Sequence, residues 1–321
     1  MTMIPPAAIG NTSCHRPRGI FLLIAAAVTL VIPMLATSAE RQPELLIRTD
    51  DIGMNHSVNT ALRKFIAMGV PFSASVMVPC PWFSEAAEIL RDNPQVSVGI
   101  HLTLNSEWKD YRWGPVLGAS RVPTLVDSDG YFFTTGARLL DNNMDLGQVE
   151  AELRAQIDRA KQAGLKVDYL DYHMLTAVST PELRRVVVKL ADEYGLGLSR
   201  YFDEPSVSLW DVEPDKKLVT LLNAARSIQP GSRPTLLVVH LGLETPEMNA
   251  LVDANNPADP YRVAQHRQAE LDAVTSPAFF RLLGERGVRF VTYRDMVARY
   301  GRAAMKAPES FEYSMNEPGD R

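Results

Sequence analysis

Cysteine and positive charge are both scarce in this sequence. Only two of the 321 residues are cysteine, and the formal net charge is −5. Cys14 lies in an N-terminal segment with the pattern of a leader, so Cys80 alone is left in the rest of the chain. An intramolecular disulfide is then impossible, and Cys80 is predicted to be a buried packing residue of a hydrophobic core. The acidic balance excludes a basic footprint for nucleic acid, so no nucleic-acid partner is expected.

Several functional signatures are also missing. The chain has no low-complexity tract, no convincing Ser-His-Asp order, and no glycine-rich phosphate loop beside a cluster of Arg or Lys. Its composition, 46% hydrophobic and 22% charged, is that of an ordinary soluble globular protein. The length allows one large domain or two small ones.

The N-terminal 39 residues have the parts of a secretory signal. Arg16 and Arg18 precede an apolar run at 20–35, and small residues end the segment at Ala39. The run is short for a membrane span and contains Pro33, so we predict cleavage after Ala39, with an uncleaved membrane anchor as the alternative. Either reading predicts export, most simply to a bacterial periplasm. No membrane partner is expected beyond this signal, and the oligomeric state is left open.

Short apolar runs alternate with amphipathic stretches from residue 40 to 301, which we predict to be a single domain. Seven runs are predicted strands: 45–49, 73–78, 96–102, 167–172, 197–202, 235–240 and 288–293. Seven stretches are predicted helices: about 57–68, 83–91, 147–163, 180–194, 215–228, 261–273 and 276–286. This alternation indicates parallel β/α units, and seven strands fit a closed or nearly closed barrel better than an open sheet. The long connection at about 103–146 is predicted to be a functional loop, and 302–321 a loosely ordered tail.

Polar residues collect where the predicted strands end. Asp50 and Asp51 follow the first strand, His101 ends the third, His173 follows the fourth and His240 ends the sixth. Active sites of β/α barrels lie at this face of the sheet. One carboxylate and two imidazoles suit a divalent ion such as zinc, and the neighbouring acid would then be free to act as a general base.

Each of these residues also has a structural interpretation. An Asp pair before Gly53 is compatible with a turn and a helix cap. Any single histidine is more often a hydrogen-bonded structural residue than a ligand. The convergence of the groups on one predicted rim favours the metal site over these alternatives.

An ordered set of short motifs resembles a known family. The segments "TDDIGMNHSVN", "VGIHLTLN", "VPTLVDSDGYFF", "YLDYHM", "VVHLG" and "RQAELDAVTSPAF" follow one another between about residues 45 and 298. Together they resemble the YdjC-like carbohydrate deacetylases, which are related to the polysaccharide deacetylases. The resemblance implies a distorted β/α barrel. It also implies a base at Asp50, metal ligands at Asp51, His101 and His173, and a late histidine at His240, close to the reacting centre.

The same resemblance implies an activity. The chain would be a metal-dependent hydrolase that removes an acetyl group from an N-acetylated sugar or oligosaccharide, with His240 as proton donor. The cofactor would be one divalent ion, with zinc favoured and magnesium or another ion possible. Two alternatives remain: a sugar-binding protein without turnover, and metal-dependent hydrolysis of another bond such as a phosphoester. A base and an acid are not needed for binding alone, which favours an enzyme.

Further residues are weaker candidates for the site. Trp108, Tyr111 and Trp113 in the long loop could form a platform for a sugar face or simply anchor the loop. Asp171 could orient an imidazole or act as a strand-end turn residue. Arg267 lies three residues before a glutamate in a predicted helix, where a structural ion pair is favoured over a site-lining role.

The motifs depart from the family pattern in three places. Leu175 stands where the family often has a second histidine, and Leu241 replaces a proline after His240. The first strand ends in "RTDD" rather than the commoner "NADD". The proposed ligand set survives these changes, but His173 has no local substitute.

Overall fold

Parallel strands and helices alternate along the computed structural model, which describes residues 42–231, 233–309 and 311. The strands are β1 Glu44–Ile52, β2 Ser73–Val76, β3 Ser97–Leu102, β4 Val167–Tyr172, β5 Gly197–Leu198, β6 Ser206–Ser208, β7 Thr235–Val239 and β8 Arg289–Val291. The helices are α1 His56–Ile66, α2 Phe83–Arg91, α3 Gly136–Asp141, α4 Leu146–Gln162, α5 Pro181–Tyr194, α6 Lys217–Ser227, α7 Pro246–Asn249, α8 Val263–Val274, α9 Pro277–Glu285 and α10 Tyr293–Tyr300. Short 3-10 turns lie at Pro123–Leu125, His173–Val178, Pro214–Lys216 and Arg302–Ala304.

The strands form one parallel sheet that curls into a half-barrel. Their order is β5-β4-β3-β2-β1-β7-β6, and β8 pairs with β1. On one edge of β1, strand β7 pairs with the residues from Leu45 to Thr49. The other edge is divided between two strands: β8 pairs with Glu44–Leu46 and β2 with Arg48–Ile52. The prediction of a distorted β/α barrel is confirmed.

Every predicted strand is present, and the differences are local. Strand β6 was not predicted because it is only three half-buried residues following Pro205. The last predicted strand, 288–293, ends early because Thr292 and Asp295 form a capping box that begins α10. A threonine cap also begins α5, where the Thr180 side chain accepts a hydrogen bond from the backbone of Leu183.

Strand β1 lies at the centre of the fold and is buried along its whole length. Leu45 and Ile47 pack in the large core cluster under the helices, whereas Leu46 belongs to a smaller cluster with Tyr169 of β4. Side chains alternate between the two faces of a strand, so Arg48 and Asp50 share the face of Leu46. Charged groups therefore line the inside of the half-barrel near the end of β1.

The described residues cover the predictions for the two ends of the chain only in part. The predicted signal segment lies outside the described residues, and the domain boundaries at 39 and 301 stay predictions. Part of the tail packs on the domain: Phe311 is buried and its carbonyl accepts a hydrogen bond from Arg200. Cys80 is buried, as predicted. Within the described ranges, none of the helices combines the length and the apolar character needed to cross a membrane.

Candidate metal centre and active site

The backbone turns at the second of the two adjacent acids at the end of β1, and the ligand atoms of both acids lie within 4.8 Å of His101. Asp51 has φ of 62°, in the left-handed region, and the pairing of β1 with β2 shifts register between Thr49 and Ile52. A non-glycine residue in this region costs roughly 1–2 kcal/mol, so the surrounding contacts must hold it there. The helix cap that follows is Asn55, whose side chain accepts a hydrogen bond from Val58. The acid pair is thus not the cap of α1.

Each acid has its own arginine. Arg48 Nε and Nη2 lie 2.7 and 2.6 Å from the two oxygens of Asp50, a bidentate pair. Arg267 of α8 donates from Nη2 to Asp51 Oδ2 at 2.5 Å. Burial by itself raises the pKa of Asp51, but Arg267 and the nearby imidazoles outweigh it and hold that pKa well below its usual range. The repulsion between neighbouring carboxylates is offset by these two cations.

The second oxygen of Asp51 faces two histidines. Asp51 Oδ1 lies 3.3 Å from His101 Nε2 and 3.2 Å from His173 Nδ1. All three side chains are buried, and their ligand atoms lie within 4.8 Å of one another. Among the described residues this oxygen has no hydrogen-bond donor, although it is buried. A divalent ion between the three atoms would satisfy it, so the residues fit a metal site with one carboxylate and two imidazoles.

The outer nitrogen of each imidazole lies against a second carboxylate. His101 Nδ1 is 3.0 Å from Asp171 Oδ1, and these two residues are register partners on β3 and β4. His173 Nε2 is 3.0 Å from Glu107 Oε2, which comes from the long loop. Carboxylates in this position fix the orientation and tautomer of metal-binding histidines. Burial lowers the pKa of His173, but Glu107 and Asp51 outweigh it and raise that pKa to about 9.

One aromatic residue of the long loop, Trp113, lies beside this cluster. Trp108 and Trp113 are each only 2% exposed. Trp113 donates a hydrogen bond to the backbone of Asn105, and its ring lies 6.2 Å from that of His173. Tyr111 is partly exposed and donates to the carbonyl of Met54 at 2.5 Å. For the two tryptophans these contacts favour the loop-anchoring interpretation over a sugar platform.

His240 lies on a more open side of the site. Its side chain is 20% exposed, and Nδ1 is 3.7 Å from Glu270 Oε2. The same oxygen accepts a hydrogen bond from the backbone N–H of His240 at 2.6 Å. Trp210, which follows β6, has its ring 5.0 Å from the imidazole. The other oxygen of Glu270 binds Lys217 at 3.0 Å, and both of these side chains are fully buried.

Helix α8 contacts both Asp51 and His240. Arg267 reaches Asp51, and Glu270, one turn later, holds the backbone of His240. A Cβ at Gly242 would lie 2.8 Å from Cβ of Arg267, so only glycine allows the strand end after His240 to pack this closely on α8. The favoured interpretation of Arg267 as a structural partner of Glu270 is thus replaced by contacts to two different parts of the site.

Comparison with known proteins agrees with this architecture. Residues 44–285 match the family model of the YdjC-like proteins. The chain belongs to the YdjC-like family. A carbohydrate deacetylase of Listeria monocytogenes is 26% identical over 259 residues, 79% of this chain and 100% of the relative. A carbohydrate deacetylase of Geobacillus stearothermophilus is 27% identical over 261 residues, 78% and 96% of the two chains.

A solved structure shares the fold of this YdjC-like protein. It is an Enterococcus faecalis protein named for cellobiose-phosphate cleavage. Its TM-score is 0.65 at 22% identity, over 79% of this chain and 99% of that chain.

The sequence located most of the residues that this YdjC-like structure brings together, and missed others. Asp51, His101 and His173 converge, and Asp171 lies beside His101 as an orienting residue would. Glu107 was not singled out, because a loop sequence does not show which of its acids turns inward. Its place beside Trp108 was the available sign that this part of the loop could be buried. Trp210 was missed because β6, the strand that positions it, is so short.

Proposed function

We propose that this chain is a metal-dependent hydrolase that removes the acetyl group from an N-acetylated sugar or oligosaccharide. The observation that carries the proposal is the buried set of Asp51, His101 and His173, with a carboxylate on the outer nitrogen of each imidazole. Its relatives named carbohydrate deacetylases support the carbohydrate substrate and the acetyl group. The family model matches residues 44–285, a range that includes every residue of the proposed site.

Asp51 Oδ1, His101 Nε2 and His173 Nδ1 would hold the ion. Two imidazoles and one carboxylate favour zinc, and magnesium or another divalent ion remains compatible. When bound, such an ion supplies a Lewis acid that polarises the amide carbonyl of the substrate.

The chain's own residues would move the protons. We assign Asp50 as the base that accepts a proton from the attacking water, while Arg48 keeps its carboxylate oriented. The water oxygen forms the new bond to the carbonyl carbon, and the C–N bond then breaks. His240, held through its backbone by Glu270, donates a proton to the departing nitrogen. The products are acetate and a free amino sugar.

Export to a bacterial periplasm remains part of the proposal. It is supported by the basic, apolar and small-residue order within residues 16–39. The alternative, a tether formed by the same segment, predicts that the protein stays in the membrane fraction.

The test is acetate release from a panel of N-acetylated mono- and oligosaccharides. The purified chain is stripped of metal and compared with the same protein after zinc is restored. We expect zinc-dependent acetate from at least one sugar, and in Asp50→Asn we expect its turnover to fall about 10²- to 10⁴-fold with zinc content retained. Full turnover in Asp50→Asn would overturn the assigned base. Sugar binding without acetate release would instead support the binding-protein alternative.

A further inference from the structure

A second set of possible ligands shares His101 with the first. Asp50, Asp171 and His101 are all buried, and their ligand atoms also lie within 4.8 Å of one another. Two buried carboxylates beside an imidazole nitrogen are a donor set that divalent ions bind. The chain therefore presents two adjacent candidate triads at the end of the half-barrel.

The second triad already contains a cation, the guanidinium of Arg48. It binds both oxygens of Asp50, at 2.7 and 2.6 Å, and its Nε lies 3.0 Å from Asp171 Oδ2. Arginine stays protonated at any working pH, so this positive charge is permanent. A divalent ion can enter the second triad only if that guanidinium leaves.

A chain of buried hydrogen bonds holds the guanidinium of Arg48 on the side away from Asp50. Arg48 Nη1 donates to Ser199 Oγ at 2.7 Å, and Ser199 Oγ is 2.6 Å from the hydroxyl of Tyr293. Tyr293 in turn donates to Glu204 at 2.8 Å. All four side chains are buried, so moving Arg48 would leave several polar groups without partners.

We propose that Arg48 is a positioning residue that closes the second triad to metal. It restricts the ion to Asp51, His101 and His173, and it keeps Asp50 free of metal so that this acid remains available for proton transfer. This inference rests on the proposed function for the role of Asp50, whereas the exclusion of metal from the second triad stands without it. The arginine thus decides which of two adjacent acids becomes a ligand.

The test counts bound zinc per chain in variants of the full protein. His173→Asn, which damages the first triad, should lose zinc. Arg48→Ala combined with His173→Asn should regain it, because Asp50, Asp171 and His101 are then open to the ion. Adding guanidinium to this double variant should expel the zinc. Arg48→Lys combined with His173→Asn keeps a positive charge and should stay free of zinc.

Turnover gives a second measurement. Arg48→Ala alone should lose about 10²-fold in kcat, the cost of a misplaced reacting group, and added guanidinium should restore part of it. Arg48→Ala with Asp50→Asn should show no such rescue. Should the Arg48→Ala variants fail to fold, Arg48→Lys serves as the test. The point charge of lysine cannot hold both oxygens of Asp50, so kcat should fall at unchanged zinc content.

The outcomes separate the two proposals. A folded Arg48→Ala, His173→Asn chain that binds no zinc overturns the exclusion of metal, and unchanged kcat in Arg48→Ala or Arg48→Lys overturns the positioning of Asp50. If the wild-type chain releases no acetate from any sugar, the proposed function fails, while the zinc count still decides the role of Arg48.

Discussion

The metal side and the His240 side of the site are built differently. Asp51, His101 and His173 are each at most 4% exposed, and each is held by at least one further charged side chain. His240 is 20% exposed at its side chain, and Glu270 holds it mainly through its backbone. The difference matches the tasks we assign. Ligands must be fixed before the ion arrives, whereas a proton donor must approach a substrate that enters from solvent.

The largest effect is expected from breaking the metal side. His173→Asn removes a proposed ligand, and Leu175, two residues later, has no side chain that could replace it. We expect zinc content to fall to background and acetate release to disappear with it. Zinc analysis of the purified variant checks this, with circular dichroism as the folding control. Retention of one zinc per chain would contradict the assigned ligand set.

A smaller loss is expected on the open side. His240→Gln removes the proposed proton donor but leaves the buried triad intact, so kcat should fall about 10²- to 10⁴-fold with zinc content unchanged. Steady-state kinetics and zinc analysis on the same preparation separate the two sides. If His240→Gln also lost its zinc, the two sides would not be independent.

A substitution of Glu107 tests how much a carboxylate on the outer nitrogen of an imidazole contributes to zinc affinity. Glu107→Gln keeps the shape of the side chain but removes the charge beside His173 Nε2, and zinc affinity should weaken about 10- to 100-fold. The matched control is Glu85→Gln, because Glu85 also lies 3.0 Å from a histidine nitrogen, that of the exposed His56. The control should bind zinc like the wild type. Competition with a chelator measures both affinities, and equal values would argue against an orienting role for Glu107.

The smallest effect is a pH dependence of thermal stability. The pKa of His173 is raised from the usual 6.5 to about 9 in the metal-free fold. Between these values the folded chain binds more protons than the unfolded chain, so the free energy of unfolding should fall as pH rises through this window. We expect the Tm of the metal-stripped protein to drop by several degrees from pH 6.5 to 9.

The zinc-loaded protein is the control for that experiment. Histidine must lose its proton to bind the ion, so the contribution of His173 to this slope should disappear on loading. Equal slopes with and without zinc would contradict the raised pKa of His173.

Sequence reasoning reached the parts of the site that follow from strand geometry. Parallel strands end at one edge, so histidines placed directly after apolar runs had to converge there. Contacts made by side chains from distant segments gave no such signal. Arg267 reaches Asp51 across 216 positions, and Glu107 reaches His173 across 66. These pairings depend on how helices and loops pack, and neither periodicity nor spacing encodes that.

The position of Glu107 has a consequence for how such a protein can change over time. The proposed metal ligands lie at the ends of β1, β3 and β4, but Glu107 comes from the connection after β3, and connections vary more than the strands they join. On the proposed ligand set, variation within that connection would raise or lower the affinity for the ion while Asp51, His101 and His173 stay unchanged. Substitutions in this loop could then adapt a lineage to scarce or abundant metal without any change in the proposed catalytic residues.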